Sequence, residues 1–138
     1  LLFFFLVQQF IYTGCIIFPN VLSCLDVSWF NQDFLASHTD VGKKITDILN
    51  NNNHEDFLKS YQLFAHFQDK FIDFDQIEAQ TLVCTAKGDV GSTPDMSNQL
   101  GKVISNSEVV IFDQGKHMVG IECAEEVNKV FSNFIEGM

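Results

Sequence analysis

The spacing of apolar positions along the chain changes character near residue 73. Before it, the recurrences are helical. Val41, Ile45, Ile48 and Leu49 keep the spacing of one helix face, with Thr39 or Asp40 placed to cap it. The run Asn50 to Asn53 ends that helix, because Asn favours caps and turns. Phe57, Leu58, Tyr61, Phe64 and Ala65 form a second stripe. Residues 1–27 are largely apolar but carry no clean period, and support only a loose expectation of helix or mixed structure.

After residue 76 strands and helices alternate. Thr81 to Thr85 is a short run rich in strand formers. Asp89 to Thr93 is a loop. Thr93, Pro94 and Asp95 then start a helix: a cap, a proline at the first helical position and an acid in the first turn. Met96, Leu100 and Val103 are its expected buried stripe. Ser105 to Ser107 is a turn, and Glu108 to Phe112 a second strand. A loop with Gly115 and His117 follows. From about Cys123 a last helix presents Val127, Val130, Phe131, Phe134 and Ile135 on one face. Strand, helix, strand, helix predicts an α/β fold with a parallel sheet under helices. Two parallel strands do not make a stable sheet alone, so the pattern calls for further strands, and no internal repeat supplies them.

Composition narrows the function. The chain has 138 residues, enough for one domain, and 46% of them are hydrophobic. Lys+Arg is 8 against Asp+Glu 18, a net charge of −10, and every cation is a lysine. An acidic chain without arginine lacks the basic face that nucleic-acid binding needs. Twelve of the 15 phenylalanines fall between Phe3 and Phe74, so the aromatic mass sits in the helical part. Cys15, Cys24, Cys84 and Cys123 form no C-x-x-C pair and no zinc spacing, and read as reduced apolar fillers. That requires no oxidising compartment and favours a cytoplasmic one. The apolar start is broken by Gln8, Gln9, Thr13, Gly14 and Pro19, and the first lysine is Lys43. It therefore resembles neither a membrane span nor a signal peptide. The chain opens on Leu1 rather than Met, which fits a piece of a longer protein.

Two residues carry candidate chemistry. Asp89 lies just past the C-terminal end of the first strand, and His117 just past that of the second. In open α/β sheets ligands and reactive groups gather at that edge. A carboxylate bonded to the Nδ1–H of a histidine fixes its tautomer and stabilises the imidazolium. Nε2 then exchanges a proton with a nucleophile. Taken singly, Asp89 is a turn residue and His117 a loop histidine; their matching positions raise them above that reading. AKGDVGST lacks the lysine before Ser/Thr that a phosphate loop requires, and no G-x-G-x-x-G is present. Glu122, Glu125 and Glu126 read as a helix-dipole feature of the last helix rather than a metal site. Met118 suits a pocket wall or plain packing equally.

The stretch from Gln76 to Ile135 resembles the end of an α/β-hydrolase. Ile77, the strand Thr81, Leu82, Val83, the loop acid Asp89, the helix-leading Pro94, Gly115, His117, Glu122 and Phe134 match that family's pattern in order. Ala65 to Asp69 resembles the linker from cap to core, and Ser28 to Leu35 a piece of the helical cap of esterase and enol-lactonase-like members. Three positions depart: Gln80 stands for a proline, Ala86 for a glycine, and Lys116 intervenes between Gly115 and His117. The resemblance implies a helical cap or lid over 1–72 and the C-terminal portion of the hydrolase core over 73–138. It implies a small-molecule acyl substrate, His117 as general base and acid, Asp89 as its orienting carboxylate, and no metal or organic cofactor.

The family's nucleophile elbow, G-x-S-x-G, is absent from this chain. In this fold the chain order is nucleophile, acid, histidine, so an N-terminal loss would remove the nucleophile, and the oxyanion-hole segment with it, and keep the other two. The expected function is therefore a fragment of an ester or lactone hydrolase without triad-dependent turnover of its own. Acyltransferases, dehalogenases and lyases share the scaffold. The alternative from another class is a non-catalytic interaction module that pairs through an exposed sheet edge.

Overall fold

The structure is a computed structural model, which describes residues 29–66 and 72–137. The expectations for residues 1–27, Cys15 and Cys24, and most of the 65–69 linker lie outside those residues.

Among the described residues, three helices come first: α1 (Gln32–Ser37), α2 (Thr39–Asn50) and α3 (His54–His66). The asparagine run ends α2 as its sequence predicts, with Asn51 as C-cap. The N-cap is His38, not Thr39 or Asp40. The His38 carbonyl already accepts the Val41 N–H at 3.1 Å, so the helix starts one turn position earlier than the polar pair suggested. A 3₁₀ turn at Phe74–Gln76 leads into the second part.

That part runs β1 (Thr81–Ala86), α4 (Pro94–Val103), β2 (Ser107–Phe112), α5 (Val119–Glu122) and α6 (Ala124–Glu136). β1 and β2 are parallel neighbours, in register from Thr81 opposite Ser107 to Ala86 opposite Phe112. Parallel strands need a crossover, and α4 supplies it, packing on both. The Thr93 hydroxyl accepts the Met96 N–H, and Pro94 occupies the first turn, so the cap read from sequence is the cap observed.

Alternation sorts the side chains onto two faces. Ala86 and Phe112 form a buried cluster with Val127 of α6, flanked by Cys84, Val110, Val119, Val130 and Phe131. On the other face α4 approaches, with the Gly101 backbone against Val109. The expected α4 stripe is partly wrong. Met96 and Leu100 are half-buried, but Val103 is 44% exposed while Ser97 and Ile104 are buried. Ser97 and Ile104 are the buried positions, with Leu100 and Gly101 half-buried between them, and the missing side chain of Gly101 lets the helix backbone come close to Val109. The last helix begins where expected, at Ala124 after Cys123, and a separate short helix precedes it. α5 turns before Cys123, and α6 buries Val127 and Phe134 while Ile135 remains exposed.

Candidate active site

The site grows out of the strand ends. Past Ala86 and Phe112 the ladder gains one more bond, from the Lys87 N–H to the Phe112 carbonyl at 2.8 Å, and the two chains then turn away. The Asp89 N–H donates back to the Ala86 carbonyl at 3.1 Å, closing a tight turn. Two glycines make the turns compatible. Gly115 has φ +89°, the left-handed region that glycine enters without penalty. A Cβ on Gly88 would lie 2.7 Å from the Gly115 carbonyl oxygen, so the loops touch backbone to backbone.

Asp89 is 5% exposed. A buried carboxylate is costly unless its lone pairs are filled. Its Oδ1 accepts the N–H groups of Gly91 at 2.7 Å and Ser92 at 2.8 Å. The Thr85 hydroxyl donates to the Ser92 carbonyl at 2.6 Å and braces the same turn. Oδ2 faces Nδ1 of His117 at 3.0 Å. An ionised carboxylate only accepts, so Nδ1 carries the proton. Gly91, Ser92 and His117 thus hold one acid in one orientation, and the Thr85 hydroxyl lies 3.4 Å from its Oδ2.

His117 is held from several directions besides. Its side chain keeps 21% exposure, enough to meet a ligand from the open side. The Trp29 ring lies beside the imidazole, with centroids 6.2 Å apart and planes tilted by 40°. The Met118 N–H donates to the Trp29 carbonyl at 3.0 Å. Glu122 accepts the Lys116 N–H on Oε2 and the Asn31 N–H on Oε1, both at 2.6 Å.

The structure therefore brings together the two residues singled out from sequence, Asp89 and His117. It corrects the reading of Glu122, which sits in α5 and accepts two loop N–H groups, leaving Glu125 and Glu126 as the acids of the α6 first turn. Trp29 was not anticipated at the site. Its signal was an aromatic inside the stretch Ser28 to Leu35 that resembles a cap piece, and only the tertiary contact reveals its neighbour. Met118 is half-buried, and its part here is a backbone bond. Cys84 and Cys123 are free thiols. Burial pushes both thiols up, and at Cys123 the Glu122 and Glu126 carboxylates add to it. Neither is therefore an activated nucleophile. Among the described residues no group of His, Cys, Asp and Glu could hold a metal ion, and no helix is long and apolar enough to cross a membrane.

The backbone matches a known architecture. The chain superposes on the enol-lactonase from Burkholderia xenovorans LB400 with a TM-score of 0.78, covering 95% of this chain and 50% of that one at 18% identity. The fold is that of the C-terminal part of an α/β-hydrolase. A relative by sequence is the (E)-2-((N-methylformamido)methylene)succinate hydrolase of Acinetobacter baylyi, 26% identical over 109 residues, which are 78% of this chain and 41% of that protein. The chain thus spans half or less of the length of both relatives. No family model matches the sequence.

Proposed function

We propose that this chain contributes the acid and the histidine of a nucleophile–histidine–acid triad in a hydrolase of esters, lactones or similar acyl bonds. The observation that carries the reading is the 3.0 Å contact between His117 Nδ1 and Asp89 Oδ2 at the adjoining ends of two parallel strands. One relative being named a hydrolase and the other an enol-lactonase supports it. With Nδ1–H held by Asp89, proton exchange falls to Nε2. That atom would take the proton of an attacking hydroxyl or thiol and return it to the leaving group. Asp89 would stabilise the imidazolium formed in between, its own position fixed by Gly91 and Ser92. The nucleophile would come from an elbow upstream of Leu1. Residues 1–72 would act as the cap over a small acyl substrate, with Trp29 at the border between cap and site.

The test is to sequence the transcript upstream of the Leu1 codon and assay the encoded protein on aryl esters and enol lactones. The expected result is an in-frame G-x-S-x-G after a strand, and turnover that falls by on the order of 10⁴ in Asp89→Asn. A Met preceded by a stop directly before Leu1, with no elbow, overturns the proposal. Undiminished turnover in His117→Ala does so as well.

A further inference from the structure

We propose that Glu122 is a positioning residue for His117, acting as a two-sided clamp that joins the histidine loop to the segment bearing Trp29. The inference rests on the reading of Asp89 and His117 as a working dyad. Each oxygen of the Glu122 carboxylate takes one backbone N–H: Asn31 on Oε1 and Lys116 on Oε2, both at 2.6 Å. These are short, charge-assisted bonds, stronger than neutral ones. Their donors stand far apart in sequence, and each is close to a ring of the site. Lys116 precedes His117, and Asn31 lies two positions from Trp29, whose ring neighbours the imidazole. A second link, the Met118 N–H to the Trp29 carbonyl, closes the pair of segments on the other side of His117.

The loop needs such a clamp. The Asp89 bond fixes only one atom of the imidazole, and Gly115, with its left-handed φ, gives the loop a permissive hinge just upstream. Glu122 ties the stretch between that hinge and the histidine to the segment of Asn31. Its chemistry is specific. A carboxylate accepts on both sides, whereas the amide of Gln, nearly identical in shape, accepts on one side and donates on the other. In Glu122→Gln one backbone N–H would therefore face an NH₂ group. If Glu122 only filled space, Gln would replace it; if it clamps, Gln fails as Ala does.

The experiment is NMR on the ¹⁵N-labelled chain. In the wild type the His117 Nδ1–H gives a downfield line, lost in Asp89→Asn, and the Asn31 and Lys116 amides show equal protection from hydrogen exchange because one carboxylate holds both. In Glu122→Gln both amides exchange at least tenfold faster, and the Nδ1–H line and the Trp29-to-His117 cross-relaxation are lost. Wild-type Nδ1–H line and cross-relaxation persisting in Glu122→Gln overturn the positioning role and leave the dyad standing. Protection of Asn31 and Lys116 differing more than tenfold in the wild type overturns the clamp without any variant, so a variant that does not fold leaves a decisive measurement. Absence of the Nδ1–H line in the wild type, or its survival in Asp89→Asn, overturns the dyad reading, and this proposal with it.

Discussion

Helix α2 and the unit from β1 to α6 both present apolar stripes, yet they use them differently. In α2, Val41, Ile45 and Leu49 are half-buried, Ile48 is 61% exposed, and no residue is fully buried. Among the described elements it packs mainly on α1, and an ion pair, Lys43 with Asp47, spans one turn in solvent. From β1 to α6 the stripes close on each other, and Ala86, Phe112 and Val127 leave water altogether or nearly so. Two of the hydrogen bonds at the site are long-range as well, joining Asp89 to His117 and Asn31 to Glu122. An amphipathic stripe states that a helix has a partner. Position and chemistry follow only where distant parts of the chain fix one another.

Mutations should break the two regions unequally. The largest contrast follows from the proposed function: in any triad-dependent turnover of the whole protein, His117→Ala should cost on the order of 10⁴ or more in kcat. Lys43→Ala, in a pair that is largely solvent-exposed, should leave kcat unchanged. Esterase assays on the protein encoded by the complete reading frame decide this. The isolated chain, without an elbow, is expected to show no turnover sensitive to His117. Stability comes next. Phe112→Ala removes a ring that is 1% exposed and should cost about 3–5 kcal/mol in urea or thermal unfolding. Ile48→Ala should stay within about 0.5 kcal/mol. Equal losses at both positions would erase the distinction drawn between the regions. A smaller effect is expected at the α4 cap. Thr93→Ala should cost about 0.5–1 kcal/mol, since the bond to the Met96 N–H is long at 3.4 Å.

The smallest effect concerns thiol chemistry. The raised pKa values of Cys84 and Cys123 keep both as neutral thiols around neutral pH. Alkylation followed by peptide mass spectrometry should find both slower than free cysteine at pH 8, and accelerating only as the pH climbs past the ordinary thiol value of 9.0. Alkylation of Cys84 in the folded chain as fast as free cysteine would show that the β1 face turned towards α6 is more open than its packing implies.

Much of this was legible in the sequence where the determinants are local. The cap and proline at Thr93 and Pro94 mark α4 to the residue, and the strands at 81 and 107 differ from expectation by a single residue at one end. Asp89 and His117 were visible because strand ends define their place before any contact is known. What stayed hidden depends on contacts across the fold. The rotation of α4 that buries Ser97 and exposes Val103 is set by how closely a backbone passes the sheet, and hydropathy alone does not encode that. Glu122 was visible as an acid at a helix start, but its oxygens are claimed by N–H groups whose proximity only the tertiary structure creates. Trp29 is the same case with a ring.

The register of the two strands has a consequence for folding. Ala86 stands opposite Phe112, and each loop leaves from that pair. Sliding one strand by a single residue would turn its side chains to the opposite face and carry Asp89 about 3.3 Å away from His117, beyond hydrogen-bonding distance. The acid–histidine bond is thus a checksum on strand pairing: a misaligned chain could bury apolar surface and look compact, but it would fail to close this bond.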